Sequence, residues 1–198
     1  SCLRLLGYEL GKPEPRRLLA KLTHSSGLYV GDNRTLLTQQ FLKTSADWLL
    51  MVDTDIEFPA TLLETMVELA GDRPILAASV PLGAYASTAF MRDTKPGVWH
   101  AVDPVPREPI PVDGVATACV LIHRRVFDGI TAQLGRTWWQ HLYLPQDDGE
   151  HLSQGEDLAF SVRAAECGFQ SWAVHVPGLG HWKTRRLSHE EPEREGVG

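Results

Sequence analysis

Cysteine is scarce in this chain of 198 residues, which contains only Cys2, Cys119 and Cys167. No two of these cysteines have the short spacing of a zinc-binding or redox motif. An odd, scattered set of this kind predicts free thiols in a reducing compartment, and therefore a cytoplasmic protein.

Long apolar runs are also lacking. No apolar segment approaches the roughly 20 residues that a membrane-spanning helix requires, and the first residues do not have the pattern of a signal peptide. No stable membrane anchor is therefore expected. We find no low-complexity tract and no internal repeat, which excludes a repeat architecture.

Positive charge is not in excess either. The 19 lysine and arginine residues are outnumbered by 25 aspartate and glutamate residues, so the net charge is −6. This balance argues against a protein that coats nucleic acid, but it is compatible with a local basic patch. The hydrophobic fraction of 43% is ordinary for a globular protein, and the length suffices for one domain with a sizeable core.

Apolar segments alternate with segments of helical periodicity. Strands are predicted at 28–30, 48–56, 75–80, 98–102, 112–122 and 171–176, and helices at 34–44, 60–70, 123–134 and 156–167. Residues 3–10 fit a strand or a short helix, and residues 16–22 fit a helix fragment. The strand–helix–strand order predicts parallel pairing with crossover helices, although no clear first strand of a nucleotide-binding unit is recognisable.

The segment Trp48–Ile56 is the first that carries chemistry. An apolar run leads directly into Asp53 and Asp55, at the end of a predicted parallel strand, where ligands collect in α/β proteins. Two residues apart on a strand, the two carboxylates would lie on the same side. Hard oxygen ligands of this kind suit Mg²⁺ or Mn²⁺. A polar strand end that caps the following helix is an equally good interpretation of these residues taken alone.

Two later segments supply possible partners. Glu156 and Asp157 lie in the first turn of a predicted helix, where the helix dipole favours negative charge, so a purely structural role is the alternative for both. His181 follows a glycine-rich turn just past a predicted strand. Its position makes it a candidate third metal ligand, although an isolated histidine is more often structural or simply exposed.

Several further residues leave two interpretations open. Gly114, in a stretch of small residues, would allow either a ligand or another segment to approach the backbone closely. Trp138, Trp139 and the basic cluster of Lys183, Arg185 and Arg186 could contact a sugar or a nucleic acid. A pair of core tryptophans and a solvated basic turn is the alternative. Asp32 or Asn33 is predicted to cap the helix at 34–44.

Taken together, these motifs resemble those of the GT-A glycosyltransferases, enzymes that use nucleotide sugars. Asp53-Thr-Asp55 is similar to the family's Asp-x-Asp motif, and Gly180-His181 to its late metal-binding histidine. The segment from Gly155 to Phe169 is similar to its Glu-Asp helix, and Asn33-Arg34 to a turn in the donor site. The resemblance implies a Rossmann-like, mixed but mostly parallel sheet flanked by helices, in a single domain over residues 1–187 with a polar tail at 188–198.

The resemblance also implies roles for these residues. Asp55 and His181 would bind Mn²⁺ or Mg²⁺, with Asp53 on the metal or on the donor ribose. Asp32, Asn33 and Arg34, together with Gly114, would lie near the nucleotide, for which a UDP-sugar is the expected donor. Asp157 would be the general base if the reaction inverts the anomeric centre, or would orient the acceptor if it retains it, and Glu156 would support Asp157 or the acceptor.

The acceptor implied by the resemblance is a hydroxyl group of a glycan, a small molecule or a modified DNA base. A compact enzyme of this kind would fit a bacterium or a bacteriophage. The alternatives are a DNA-modifying glycosyltransferase that acts on hydroxylated bases, a sugar-nucleotide or glycan-binding module without turnover, and another Mg²⁺-dependent phosphate chemistry such as nucleotidyl transfer. The oligomeric state is left open.

Overall fold

The structure is a computed structural model that describes residues 1–27, 29–81, 87–145 and 151–182. Five α-helices lie in these residues: α1 Cys2–Gly11, α2 Val30–Leu42, α3 Leu62–Ala70, α4 Arg124–Leu134 and α5 Glu156–Glu166, with a short 3₁₀ turn at Glu14–Arg16. The strands are β1 Trp48–Val52, β2 Ile56–Glu57, β3 Ile75–Ala78, β4 Ala89–Arg92, β5 Trp99–Ala101, β6 Ile110–Val112, β7 Gly114–Val115, β8 Cys119–His123, β9 Leu142–Pro145, β10 His151–Gln154, β11 Ser171–Val174 and β12 Gly180–His181.

The central sheet has five strands in the order β1-β8-β3-β11-β6. Only the β3–β11 pair is parallel, and the other three pairs are antiparallel. The predicted mostly parallel sheet is therefore wrong, whereas a mixed α/β single domain is confirmed. The reason is the position of β8, which lies between β1 and β3 and is antiparallel to both. Strands β1 and β3, which α3 connects, therefore run in the same direction but are not neighbours.

Three smaller sheets surround the central one. Strand β4 pairs with both β5 and β7, β9 and β10 form an antiparallel pair, and the two-residue strands β2 and β12 pair with each other. The proline-rich region after residue 80, in which the sequence indicates a single strand, contains β4, β5 and β6 in its described part. The β2–β12 pair brings the end of the described chain back to the turn that follows β1.

Helices cover both faces of the central sheet because its strands are apolar on both sides. Along β3, Ile75 and Ala77 belong to one buried cluster, whereas Leu76 and Ala78 belong to a second cluster on the other face. The first cluster contains side chains of α2, α4 and α5, of which the larger are Phe41, Phe127 and Phe160. The second contains side chains of α1 and α3, of which the larger are Leu5, Leu62 and Met66.

Trp138 and Trp139 are only 1% and 2% exposed. The indole of Trp139 is stacked on Phe160 with ring centroids 4.4 Å apart, and its N–H donates to Thr38 Oγ1 at 2.9 Å. Both tryptophans are therefore part of the core, which is the alternative that the sequence left open beside contact with a sugar or a nucleic acid. The basic cluster at 183–186 and the tail at 188–198 lie outside the described residues.

The first part of the chain departs most from prediction. Residues 3–10, which fitted either a strand or a helix, form α1, whereas the helix fragment expected at 16–22 is absent from those described residues. Of the strand predicted at 28–30, residue 28 lies outside the described chain and Val30 is the first residue of α2. Helix α2 thus begins four residues before the predicted start, so Asp32 and Asn33 lie within the helix and do not cap it.

Candidate functional site

Asp53 and Asp55 follow the last residue of β1. The amide of Asp53 still donates to the carbonyl of Ala118 at 2.9 Å, which extends the β1–β8 ladder by one residue and fixes the position of Asp53. The chain then turns, with the amide of Ile56 donating to the Asp53 carbonyl at 3.2 Å. Because a turn and not a strand joins them, the two carboxylates have different partners: Asp53 is bound to Arg34 and Asp55 to His181.

The imidazole of His181 lies against Asp55. The pairing of β12 with β2 brings His181 opposite Ile56, and the next amide, that of Trp182, donates to the Asp55 carbonyl at 2.9 Å. His181 Nε2 is 3.0 Å from Asp55 Oδ2, and His181 Nδ1 is 3.0 Å from the carbonyl oxygen of Pro81. Residues 126 positions apart in the sequence therefore form one contact.

Both neighbours of the imidazole are hydrogen-bond acceptors. A carbonyl oxygen at Nδ1 requires a proton on Nδ1, which in neutral histidine leaves a lone pair on Nε2 directed at the Asp55 carboxylate. A second proton on Nε2 would make this contact an ion pair, whereas a lone pair on Nε2 would let the two atoms share a cation. Metal-binding histidines commonly donate their second N–H to a backbone carbonyl in this way. The chemistry of Asp55 and His181 therefore fits a divalent cation.

Asp53 does not join this pair. Within residues 1–27, 29–81, 87–145 and 151–182, no three side chains of histidine, cysteine, aspartate or glutamate are close enough to hold a metal together. The guanidinium of Arg34 occupies the position beside Asp53, with Arg34 Nη2 3.3 Å from Asp53 Oδ1. A metal at this site would have two side-chain ligands from the described residues, instead of the three that the sequence predicts.

Arg34 connects three elements. It lies one turn into α2, on the buried face that it shares with Thr38 and Phe41, and only 7% of it is exposed. One guanidinium nitrogen forms an ion pair with Glu156 Oε1 on α5, and the other is shared with Asp53 after β1. Burial of an unpaired charge costs free energy, and the two carboxylates that pair with the guanidinium offset this cost. The sequence pattern indicated Arg34 as a donor-site residue but contained no signal for its pairing with Glu156.

Asp157 lies beside Glu156 in the first turn of α5. Its Oδ1 accepts a hydrogen bond of 2.7 Å from the amide of Leu158. Burial of the carboxyl raises the pKa of Asp157 above its ordinary value, and the negative charge of Glu156 acts in the same direction. The Leu158 amide and the positive charge of Arg34 oppose that rise. A carboxyl group with a raised pKa next to an ion pair is a typical general base or acid.

Asp32, Asn33 and Gly114 were also predicted to lie near the nucleotide. Asp32 is exposed on α2. Asn33 lines the same cavity as Arg34 and Asp53, and its Oδ1 atom accepts a hydrogen bond of 2.7 Å from Ser25 Oγ. Gly114 is covered by protein: a Cβ atom there would lie 2.7 Å from the Trp99 ring and 2.8 Å from a methyl group of Leu158. Close packing of the chain on itself explains this glycine, and approach of a ligand is not needed to explain it.

A cavity of about 860 Å³ lies next to the turn that carries Asp53 and Asp55. Arg34, Asp53 and Asp55 line it where β1 ends, and apolar side chains line it along the length of β1. Its volume is within the range of small-molecule sites in proteins. His141 is a further residue near this site that the sequence did not indicate: its Nε2 is 3.8 Å from Glu156 Oε2.

No protein-family model matches the chain, and no curated protein sequence matches it. Among solved structures, the crystal structure of A197 from STIV is similar, with a TM-score of 0.52 and 14% sequence identity over 82% of this chain and 72% of that one. At this level of identity the similarity concerns the fold alone. The predicted membership of the GT-A glycosyltransferases is wrong: no family model supports it, and the structural neighbour is not described as a glycosyltransferase.

None of the helices in the described part of the chain has the length and apolar character that crossing a bilayer requires. The exposure of its thiols varies: Cys2 is exposed, Cys167 is partly buried and Cys119 is buried, and all three are free. Burial also raises the pKa of Cys119 to about 12, so this thiol is unreactive at neutral pH.

Proposed function

We propose that this protein is a metal-dependent enzyme that transfers a sugar from a nucleoside diphosphate sugar, expected to be a UDP-sugar, to a hydroxyl group of an acceptor. The observation that carries the proposal is the contact of Asp55 with His181, in which a carboxylate oxygen and an imidazole nitrogen lie 3.0 Å apart. The transfer also needs a base for the acceptor hydroxyl. Asp157 would be that base, and burial raises the pKa of its carboxyl group.

Asp55 and His181 are the residues that would hold the cation. One carboxylate and one imidazole leave most of an octahedral coordination sphere to water and to phosphate oxygens of a substrate, which is how Mg²⁺ is commonly bound. Bound there, Mn²⁺ or Mg²⁺ would neutralise the negative charge that develops on the departing nucleoside diphosphate. The Pro81 carbonyl orients the His181 ring by accepting from Nδ1.

Asp157 is the residue that would accept the proton. In an inverting transfer the acceptor oxygen bonds to the anomeric carbon as the bond from that carbon to the diphosphate oxygen breaks. The proton of the acceptor hydroxyl passes to the Asp157 carboxylate, and the electron pair of the broken bond leaves with the diphosphate. In a retaining transfer the same carboxylate would orient the acceptor.

Arg34 and Glu156 would position these groups without taking part in bond making. Glu156 forms an ion pair with Arg34, and Asp157 lies beside it in the first turn of α5, where burial raises the pKa of its carboxyl group. Arg34 also holds Asp53 at the end of β1, which leaves Asp55 for His181. Asp53 and Arg34 both line the cavity, where a donor ribose or phosphate would meet one carboxylate and one guanidinium.

Product analysis tests the proposal. The protein is incubated with a panel of nucleotide sugars and Mn²⁺, and the phosphate-containing products are separated. Release of a nucleoside diphosphate that stops when the metal is chelated is the expected result. Release of pyrophosphate would instead indicate nucleotidyl transfer, and metal-dependent binding of the donor without any product would indicate a binding module.

A further inference from the structure

Residues 18–27, between α1 and α2 in the chain, form a strap along one side of the cavity of about 860 Å³. At the beginning of the strap, the carboxylate of Glu9, which is only 1% exposed, accepts hydrogen bonds from its first two amides at 2.8 and 3.3 Å. Near its end, Ser25 Oγ donates to Asn33 Oδ1 at 2.7 Å. The strap is therefore fastened to α1 at one end and to α2 at the other.

Between these two anchors the strap has little support. In the described part of the chain, none of its backbone groups is hydrogen-bonded to another backbone group, and residues 20–24 have no hydrogen bond or ion pair. Residues 21–24 are exposed. Segments with few buried contacts and with backbone groups open to solvent move locally at a low cost in free energy. The strap is therefore a part of the cavity wall that can move while its ends stay bound.

Lys21 and His24 lie on this unsupported part of the strap. Both line the cavity, and neither forms an ion pair with a described residue. Arg34 also lines the cavity, but its guanidinium is shared between Glu156 and Asp53. The diphosphate of a nucleotide carries more negative charge than one divalent cation offsets. Lysine can supply a positive charge, and histidine can donate an N–H to a phosphate oxygen in either protonation state.

We propose that the strap closes over the diphosphate of a bound nucleotide, and that Lys21 and His24 donate hydrogen bonds to its phosphate oxygens. Because the ligand is taken from the proposed function, the inference rests on that function. The anchor at Asn33 supports it, since it holds the His24 end of the strap beside the residue that precedes Arg34, where Asp53 lines the cavity. A fixed wall would instead leave both side chains in solvent, without effect on the affinity for the nucleotide.

Calorimetric titration of UDP in the presence of Mn²⁺ tests the two side chains. K21Q and H24Q should each bind UDP at least about fivefold more weakly than the wild type, because each loses a hydrogen bond to a charged phosphate. The matched controls K95Q and H175Q make the same changes at exposed positions that do not line the cavity, and they should bind UDP like the wild type. An unchanged melting temperature without ligand shows that each variant is folded.

Amide hydrogen exchange tests the closure of the strap. In the free protein the amides of residues 20–24 should exchange quickly, because no described group accepts from them. UDP with Mn²⁺ should slow their exchange at least about tenfold, and UDP with a chelator should leave it unchanged. A fixed wall would show the same exchange with and without the ligand.

The possible results distinguish a failure of the strap from a failure of the proposed function. Metal-dependent binding of UDP with wild-type affinity in both K21Q and H24Q, or without slower exchange in residues 20–24, would overturn the closure of the strap alone. No binding of UDP to the wild type would overturn it together with the proposed use of a UDP-sugar.

Discussion

At the scale of single residues, Asp157 combines burial with closeness to an ion pair. If it is the base in the proposed transfer, D157N should lower the rate about 10²–10⁴-fold, because an amide cannot take up the proton. Binding of the donor should be preserved, because the amide is nearly the same size. The measurement is turnover together with calorimetric binding of the nucleotide sugar.

The matched control for that variant is D128N, which makes the same change at an exposed position on α4. D128N should leave the rate unchanged. If D157N retains the wild-type rate, or if both variants lose it equally, Asp157 is not the base.

The pH dependence follows from the same carboxyl group. Burial raises the pKa of Asp157 in the folded protein. As the pH is lowered, the ionised fraction of this base should therefore begin to fall at a higher pH than for an ordinary aspartate, whose pKa is about 3.9. The folded state then binds this proton more tightly than the unfolded state. The contribution of Asp157 to the free energy of unfolding therefore falls as the pH rises through the interval between the two pKa values.

The profile of kcat/KM against pH measures this shift. Arg34 opposes the rise in the pKa of Asp157, so R34Q should move the acid limb of the profile to a still higher pH. A limb at the ordinary aspartate value that R34Q leaves in place would show that another group controls the rate.

At the scale of elements, Arg34 joins α2 to α5 through Glu156 and to the end of β1 through Asp53. Arg34 and Glu156 are mostly buried, with side chains 9% and 18% exposed, so solvent screens their attraction only partly. A double-mutant cycle with R34Q and E156Q should give a coupling energy of about 1–3 kcal/mol in urea denaturation. A coupling near zero would mean that the two elements are held together by apolar packing alone.

Helix α2 also lies close to the loop that carries Trp139. A methyl group on Gly31 would lie 2.8 Å from the Trp139 carbonyl oxygen, and a backbone atom cannot easily move away. We expect G31A to lower the free energy of unfolding by about 1–3 kcal/mol through overpacking.

Gly7 of α1 provides the matched control, since nothing lies within 4 Å of a methyl group there. G7A should raise the free energy of unfolding by up to about 1 kcal/mol, because alanine favours a helix over glycine. If G31A is as stable as G7A in chemical denaturation, α2 does not approach the Trp139 backbone as closely as the structure has it.

At the scale of the whole molecule, the predictable elements were those with local signals. Helix α3 is confirmed because its apolar periodicity is followed by Gly71, and α5 because its periodicity is followed by Gly168. Strands β1 and β3 are confirmed at their first residues, since each is a short buried apolar run. Helix α2 was predicted to begin too late because Gly31 and its polar neighbours have the composition of a turn.

The order of the strands could not be predicted in the same way. Strand β8 lies between β1 and β3 although 40 residues of chain separate it from β3. No local pattern records such an insertion, since it depends on how the region around β4 to β7 folds back. The parallel pair of the central sheet, β3 with β11, joins segments that are also far apart in the sequence.

In the candidate site, too, the contacts suggested by short motifs were predicted and the other contacts were not. Asp55 and His181 were predicted to lie together from two short motifs, and the structure places their side chains 3.0 Å apart. The ion pairs of Arg34 with Glu156 and Asp53 were not predicted, because neither partner lies near Arg34 in the sequence. Asp53 pairs with Arg34 and so does not join the contact between Asp55 and His181.

If Asp55 and His181 hold a cation together with the diphosphate of a nucleotide, binding of UDP should depend on the metal and on both side chains. The most direct measurement is the melting temperature in the presence of UDP, with Mn²⁺ or with a chelator, for the wild type, D55N, H181A and the exposed-histidine control H175A. At about 100 times the dissociation constant, we expect UDP with Mn²⁺ to raise the melting temperature of the wild type and of H175A by about 5–10 °C. UDP with the chelator should have no effect, and D55N and H181A should lose the shift. An equal shift without metal, or an undiminished shift in H181A, would show that Asp55 and His181 do not hold a cation with the nucleotide.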